Sequence, residues 1–208
     1  LNRVPRQSTH QVVYENTPVD QVNFLIIKVD SLQAEQPRLE NLWWLLHKRQ
    51  GSLNLVSLYP SLQEDANADA LLQANFGISQ ETGGYQLAQS FMELLHAQEL
   101  NWQGFLILDE VAFQEVVGNQ PLSTLEHTAP LPYPEPASQL IQWRLFCRKN
   151  LQSSWQMPAE NPWVSALDPH HLSFGPAPSL GLEIWQQIMS DTPTNTCSFP
   201  VLENKFNF

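Results

Sequence analysis

Four groups of residues in this chain have side chains that chemistry uses, and their spacing limits what each can do. His170 and His171 are adjacent. In an extended chain neighbouring side chains point to opposite faces, so the pair chelates poorly and no metal site is read here. Asp109 and Glu110 follow the apolar run Phe105-Leu-Ile-Leu108. A strand end is a place for a catalytic carboxylate. An acidic pair there equally suits the start of the next helix, whose dipole it complements, and that is the plainer reading. Glu64, Asp65 and Asp69 read as a solvated acidic face. Arg144 and Arg148 are four apart, as neighbours on one helix face are, and the plainer reading again is a solvated face. No Gly-x-Ser-x-Gly elbow, P-loop, dinucleotide fingerprint or His-Glu-x-x-His is present, so no catalytic residue is assigned.

Cys147 and Cys197 are the only thiols. One reading is two buried free cysteines. The other is a disulfide closing the 50-residue span between them, which would stabilise the fold by about 4 kcal/mol in the chain-entropy view and point to an oxidising compartment. Without a Cys-x-x-Cys, neither a zinc knuckle nor a thioredoxin-type site is expected.

The net charge of −11, from 21 acidic and 10 basic residues, argues against nucleic acid and against a polybasic membrane-binding patch. It also disfavours a large anionic ligand unless the few arginines cluster. No run of about 18 apolar residues exists to span a bilayer, and no signal peptide is visible at Leu1. A start at Leu1 leaves open an anchor outside the sequence.

The elements that must position these groups form one domain. Residues 1–20 are polar, contain Pro5 and Pro18, and read as a linker or N-terminal arm; residues 21–208 read as the domain. The run Val22-Asn-Phe-Leu-Ile-Ile-Lys-Val29 ends at Asp30 and suits a central strand buried on both faces. Leu42–His47, a turn at 48–52 and Leu53–Leu58 predict a β-hairpin stopped by Pro60. Trp43 and Trp44, adjacent in a strand, must face opposite layers. Residues 61–82 predict a helix followed by a loop. Leu87, Ala88, Phe91, Leu94 and Leu95 follow helical spacing, which predicts a helix over 85–98 with Thr82 as a candidate N-cap. A strand over 104–108, a short helix over 111–117, a helix over 137–152, a strand over 172–174, a helix over 180–189 and an edge strand over 199–202 complete the pattern. Five prolines within 118–136 preclude regular structure there. The fold class is α/β (α+β): a layered fold with a central mixed β-sheet flanked by helices.

In order and spacing these elements resemble a LytR-CpsA-Psr domain, the cell-envelope-related transcriptional attenuator family, over about residues 21–202. The first strand ends at Asp30 as the family's does. Arg38-Leu-Glu40 stands where the family has Arg-x-Asp. Ser57-Leu-Tyr-Pro-Ser61 stands where it has Ser-x-Pro-Arg-Asp, so the charged pair is missing. Gly83-Gly84 and the following helix match its Gly-Gly helix, and Asn101–Val117 its strand-then-helix. Gln139-Leu-Ile-Gln142 occupies the place of Arg-x-x-Arg.

The resemblance implies a polyprenyl pyrophosphate site, with Asp30, Arg38 and Glu40 as the matching ligand-binding positions. Each charge-assisted hydrogen bond nets roughly 1.5–3 kcal/mol, so losing three of four arginines would forfeit about 5–9 kcal/mol. Phosphoryl transfer depends on such electrostatic stabilisation. The expected function is therefore an extracytoplasmic, membrane-anchored binding module, a pseudoenzyme needing no cofactor, whose partner is an isoprenoid lipid, a cell-wall glycan or a protein. The rival is an active glycopolymer phosphotransferase with a rebuilt Asp30–Arg38–Glu40 site and Mg²⁺. A third reading is an unrelated structural or interaction domain.

Overall fold

The computed structural model describes residues 21–48, 53–61, 66–81, 84–117, 143, 168, 170–191 and 197–199. Within them lie β1 (Gln21–Val29), β2 (Leu39–Lys48), β3 (Leu53–Tyr59), α1 (Ala66–Asn75), β4 (Ile78–Glu81), β5 (Gly84–Leu87), α2 (Gln89–Ala97), β6 (Gly104–Leu108), α3 (Glu110–Val117), β7 (Leu172–Gly175), α4 (Pro178–Asp191) and β8 (Cys197–Ser198). Six strands form one sheet in the order β7-β6-β1-β2-β3-β8, and β4 and β5 pair separately. β1 runs parallel to β6 and antiparallel to β2, and β2–β3 is the antiparallel hairpin that the sequence predicts. The sheet is mixed and the fold is α+β.

The continuous apolar run of β1 follows from its place. Phe24 and Ile26 enter one core with Trp43, Leu106, Phe113 and Trp185. Leu25 and Ile27 enter the other with Leu42, Val56, Phe91 and Leu95. A strand covered on both faces has no side for water-seeking residues. Trp43 and Trp44 take opposite faces as their alternation requires. Trp43 is buried and stacks on Phe113 at 5.8 Å between centroids. Trp44 is half-buried, and its Nε1 donates to the Asn101 carbonyl at 3.2 Å. Close seating of α4 on β7 needs Gly181, because a Cβ there would lie 2.8 Å from the Gly175 carbonyl oxygen.

Three expectations are corrected. The helix expected over 85–98 is shorter: residues 84–87 are β5, antiparallel to β4, and α2 starts at Gln89. The Ala88 N–H is held by the Gly77 carbonyl at 2.7 Å, and Ala88 sits at ψ 138°, outside the helical region. Thr82 is thus not the cap of this helix. Part of the loop expected after α1 is the strand β4. An edge strand lies at Cys197–Ser198, parallel to Leu53–Asn54, ahead of the expected 199–202; Phe199 is not in a strand, and residues 200–202 lie outside the described residues. Of the helix expected over 137–152, Trp143 is described, and it is helical and buried. The arm 1–20, Glu64, Asp65, the proline-rich 118–136, Gln139, Gln142, Arg144, Cys147 and Arg148 lie outside the described residues. No described helix is long and apolar enough to cross a membrane.

Candidate functional site

The C-terminal ends of β1 and β6, the start of β2, the end of β3, the start of β7 and the first turn of α3 all meet at one end of the sheet. In open α/β sheets ligands bind outside the carboxyl ends of parallel strands. Asp30, Arg38 and Glu40, which the sequence singles out, are all there, and the structure adds Lys28, Asn41 and Glu110.

Register explains how β2 delivers its carboxylate. Lys28 pairs with Asn41 and Val29 with Leu39, so Glu40 is the extra residue of a β-bulge. Glu40 Oε2 lies 2.8 Å from Lys28 Nζ, and Glu110 Oε2 lies 2.5 Å from it on the other side. The Lys28 side chain is only 4% exposed, against 40% for Glu40 and 54% for Glu110. The Phe113 ring stands 5.4 Å from the ammonium, within cation–π range. Burial pulls the Lys28 pKa down, but hydrogen bonds and charges from Glu110 and Glu40 outweigh it and hold it above the ordinary lysine value. Burial pushes Glu110 up, and Lys28 together with the Gln114 amide brings it below the ordinary glutamate value.

Asp30 and Arg38 do different work. Asp30 Oδ1 accepts the backbone N–H of Ser31 at 2.8 Å and of Arg38 at 2.9 Å, and Oδ2 accepts Arg38 Nε at 2.8 Å. The Asp30 N–H returns to the Arg38 carbonyl at 3.1 Å. These bonds close the turn from 31 to 37 into β2. Arg38 is 77% exposed along its side chain. Burial nudges the Asp30 carboxyl up, and the Arg38 and Ser31 hydrogen bonds pull it lower. Asp30 raises Arg38, and Glu40 also acts on that guanidinium through its charge. The five groups make a chain of alternating sign: Asp30, Arg38, Glu40, Lys28, Glu110.

Beside this chain Asp109 is buried and caps α3. Its Oδ1 accepts the Ala112 N–H at 3.2 Å, and its Oδ2 lies 2.6 Å from His171 Nδ1. The pair Asp109-Glu110 does begin the helix, as the plainer reading holds, and Glu110 also serves Lys28. His170 is exposed, and its N–H donates to Asp168 Oδ1. Among the described residues no three His, Cys, Asp or Glu side chains gather to hold a metal. Asp69, read as solvated, accepts the Ser61 N–H at 2.8 Å and ties the end of β3 to α1. Cys197 is disulfide-bonded; Cys147, the chain's other cysteine, lies outside the described residues.

Lys28 stands in the sequence inside the apolar run of β1. A lysine inside a strand covered on both faces must meet opposite charge, because an unpaired ammonium is too costly to bury. That rule alone predicts carboxylates beside it.

No family model and no curated protein sequence matches this chain. Solved structures do. TagV of Bacillus subtilis aligns with a TM-score of 0.52 at 10% identity, covering 90% of this chain and 86% of TagV. A Streptococcus agalactiae protein aligns with a TM-score of 0.51 at 10% identity, covering 88% of this chain and 77% of that one. At such identity the likeness speaks for the fold, and the fold of this chain is that of the LytR-CpsA-Psr proteins.

Proposed function

We propose that this domain is a cell-envelope binding module that holds a lipid-linked or glycan ligand without transferring it. One observation carries the reading. At the strand ends both cations are already neutralised by the chain's own carboxylates, Arg38 by Asp30 and Lys28 by Glu40 and Glu110. A pyrophosphate would have to displace these partners and approach a cluster that carries net negative charge. Stabilising its transition state needs preorganised positive charge aimed at the phosphoryl oxygens. The positions where the family resemblance expects further arginines hold Tyr59-Pro60-Ser61, Gln139 and Gln142. The disulfide at Cys197 supports a place outside the cytoplasm.

The test incubates the protein with a polyprenyl pyrophosphate-linked glycan and Mg²⁺, and follows release of the lipid by chromatography. No turnover is expected, and inorganic pyrophosphate should bind weakly in calorimetry. Mass spectrometry of the purified protein should find lipid or glycan, and binding of a lipid tail should depend little on salt, because apolar burial drives it. Turnover that Arg38→Ala or Asp30→Ala abolishes would instead establish a rebuilt transferase.

A further inference from the structure

The cation at the strand ends belongs to the chain itself. Lys28 Nζ is held at 2.8 Å by Glu40 Oε2 from the β2 bulge and at 2.5 Å by Glu110 Oε2 from the first residue of α3. A third oxygen lies on the same face of the sheet. Asn41 is the register partner of Lys28. It alternates with Trp43 and Leu45, so its side chain lies on the same sheet face as Lys28. Asn41 is 3% exposed, and its Oδ1 is buried without a hydrogen-bond partner. Buried acceptors are nearly always satisfied, so this oxygen is open to a donor or a cation.

Two carboxylates and an amide carbonyl are hard oxygen donors, the set that binds Ca²⁺, Mn²⁺ or Mg²⁺. Charge points the same way. One ammonium leaves the two glutamates with a negative charge in excess, whereas a divalent ion would balance both. We propose that Lys28 is a built-in cation that keeps the place of a divalent ion: Glu40, Glu110 and Asn41 bind a hard divalent cation once the ammonium is removed and are closed to metal while it is present. Mg²⁺, which the rival transferase reading requires, therefore does not fit at Glu40 as the chain stands. The inference rests on this geometry and not on which ligand the domain binds.

Manganese titrations of the full chain, with free Mn²⁺ counted by electron paramagnetic resonance, test it. Wild type should bind no Mn²⁺ beyond the level of Lys28→Met/Glu40→Gln/Glu110→Gln. Lys28→Met should bind one Mn²⁺ per chain at least about tenfold more tightly than wild type, and Mn²⁺ should raise the melting temperature of that variant alone. Asn41→Leu added to Lys28→Met should weaken binding. Two results overturn the inference: a folded Lys28→Met that binds no better than wild type, or wild type that itself takes up one Mn²⁺ and loses it with Glu40→Gln. If Lys28→Met needs metal to fold, recovery of its circular dichroism with Mn²⁺ supports the inference, and no recovery at saturating Mn²⁺ overturns it.

Discussion

Two ion pairs share one end of this sheet and differ in almost everything that sets their worth. The Asp30–Arg38 pair lies at the surface, fastens a turn through backbone as well as side-chain bonds, and keeps its guanidinium in water. The Lys28 cluster places an ammonium in the core face beside Phe113 and surrounds it with carboxylates from two other elements. Exposed pairs gain little because water already serves both charges. Buried ones gain little over an apolar core but cost heavily when one partner is removed. The exposed pair should thus be dispensable, and the lysine hidden in an apolar run should be the one whose pairing the fold needs.

The largest effect should come from breaking the buried cluster. Glu40→Gln/Glu110→Gln leaves the Lys28 ammonium, 4% exposed, without a carboxylate and should destabilise the domain by about 3–5 kcal/mol, read as a lower urea midpoint. Adding Lys28→Met should recover part of the loss. A double variant close to wild type would erase the contrast between the two pairs.

The neighbouring cap should come next. Asp109→Ala removes the α3 N-cap and the partner of His171, and should cost about 1–2 kcal/mol. Asp109→Asn, which keeps a capping oxygen, should cost less. Equal losses from the two variants would assign the effect to the His171 contact rather than to the cap.

Much of this arrangement is legible in the sequence where pattern is local. β1, the β2–β3 hairpin and β6 announce themselves as apolar runs, and the pair Asp109-Glu110 as a helix start. The helix expected over 85–98 starts four residues late because Leu87 and Ala88 continue helical spacing while their backbone pairs or bonds with the β4 side. Leu87 is buried at the end of a ribbon, and one apolar residue satisfies either period. Among the described residues β8 pairs over two, too few to leave a periodic trace. The partners of Lys28 are not legible by spacing, since a bulge in β2 and the first turn of a distant helix supply them. What is legible is that some carboxylate must be there.

Acid should separate the two pairs. Glu110 and Asp30 both titrate below their ordinary values of 4.5 and 3.8 in the folded chain. A depressed carboxyl lends stability that is fully present above its unfolded pKa and is lost as pH falls through the folded one. Stability should therefore hold above about pH 5 and decline below it. Glu110→Gln should flatten the upper part of that decline, read as urea midpoints at successive pH values, whereas Arg38→Ala should leave the lower part nearly unchanged, because the backbone N–H groups of Ser31 and Arg38 still hold Asp30 below its ordinary value. An acid profile of Glu110→Gln identical to that of wild type would show that other carboxylates govern the decline.

Arg38→Ala should have the smallest effect of all. Its guanidinium touches Asp30 only through Nε and is otherwise in solvent. The backbone N–H and carbonyl of residue 38 keep their bonds to Asp30 whatever the side chain is, so the turn stays closed. The urea midpoint should move barely beyond measurement at low salt, and the difference should vanish at about 1 M salt, where the Debye length is only about 3 Å. Ligand binding should be unchanged, because the proposed module does not rely on this cation. A large loss of binding with stability intact would mean that Arg38 leaves Asp30 to meet the ligand. The exposed pair would then be the working part of the site, and the buried one its support.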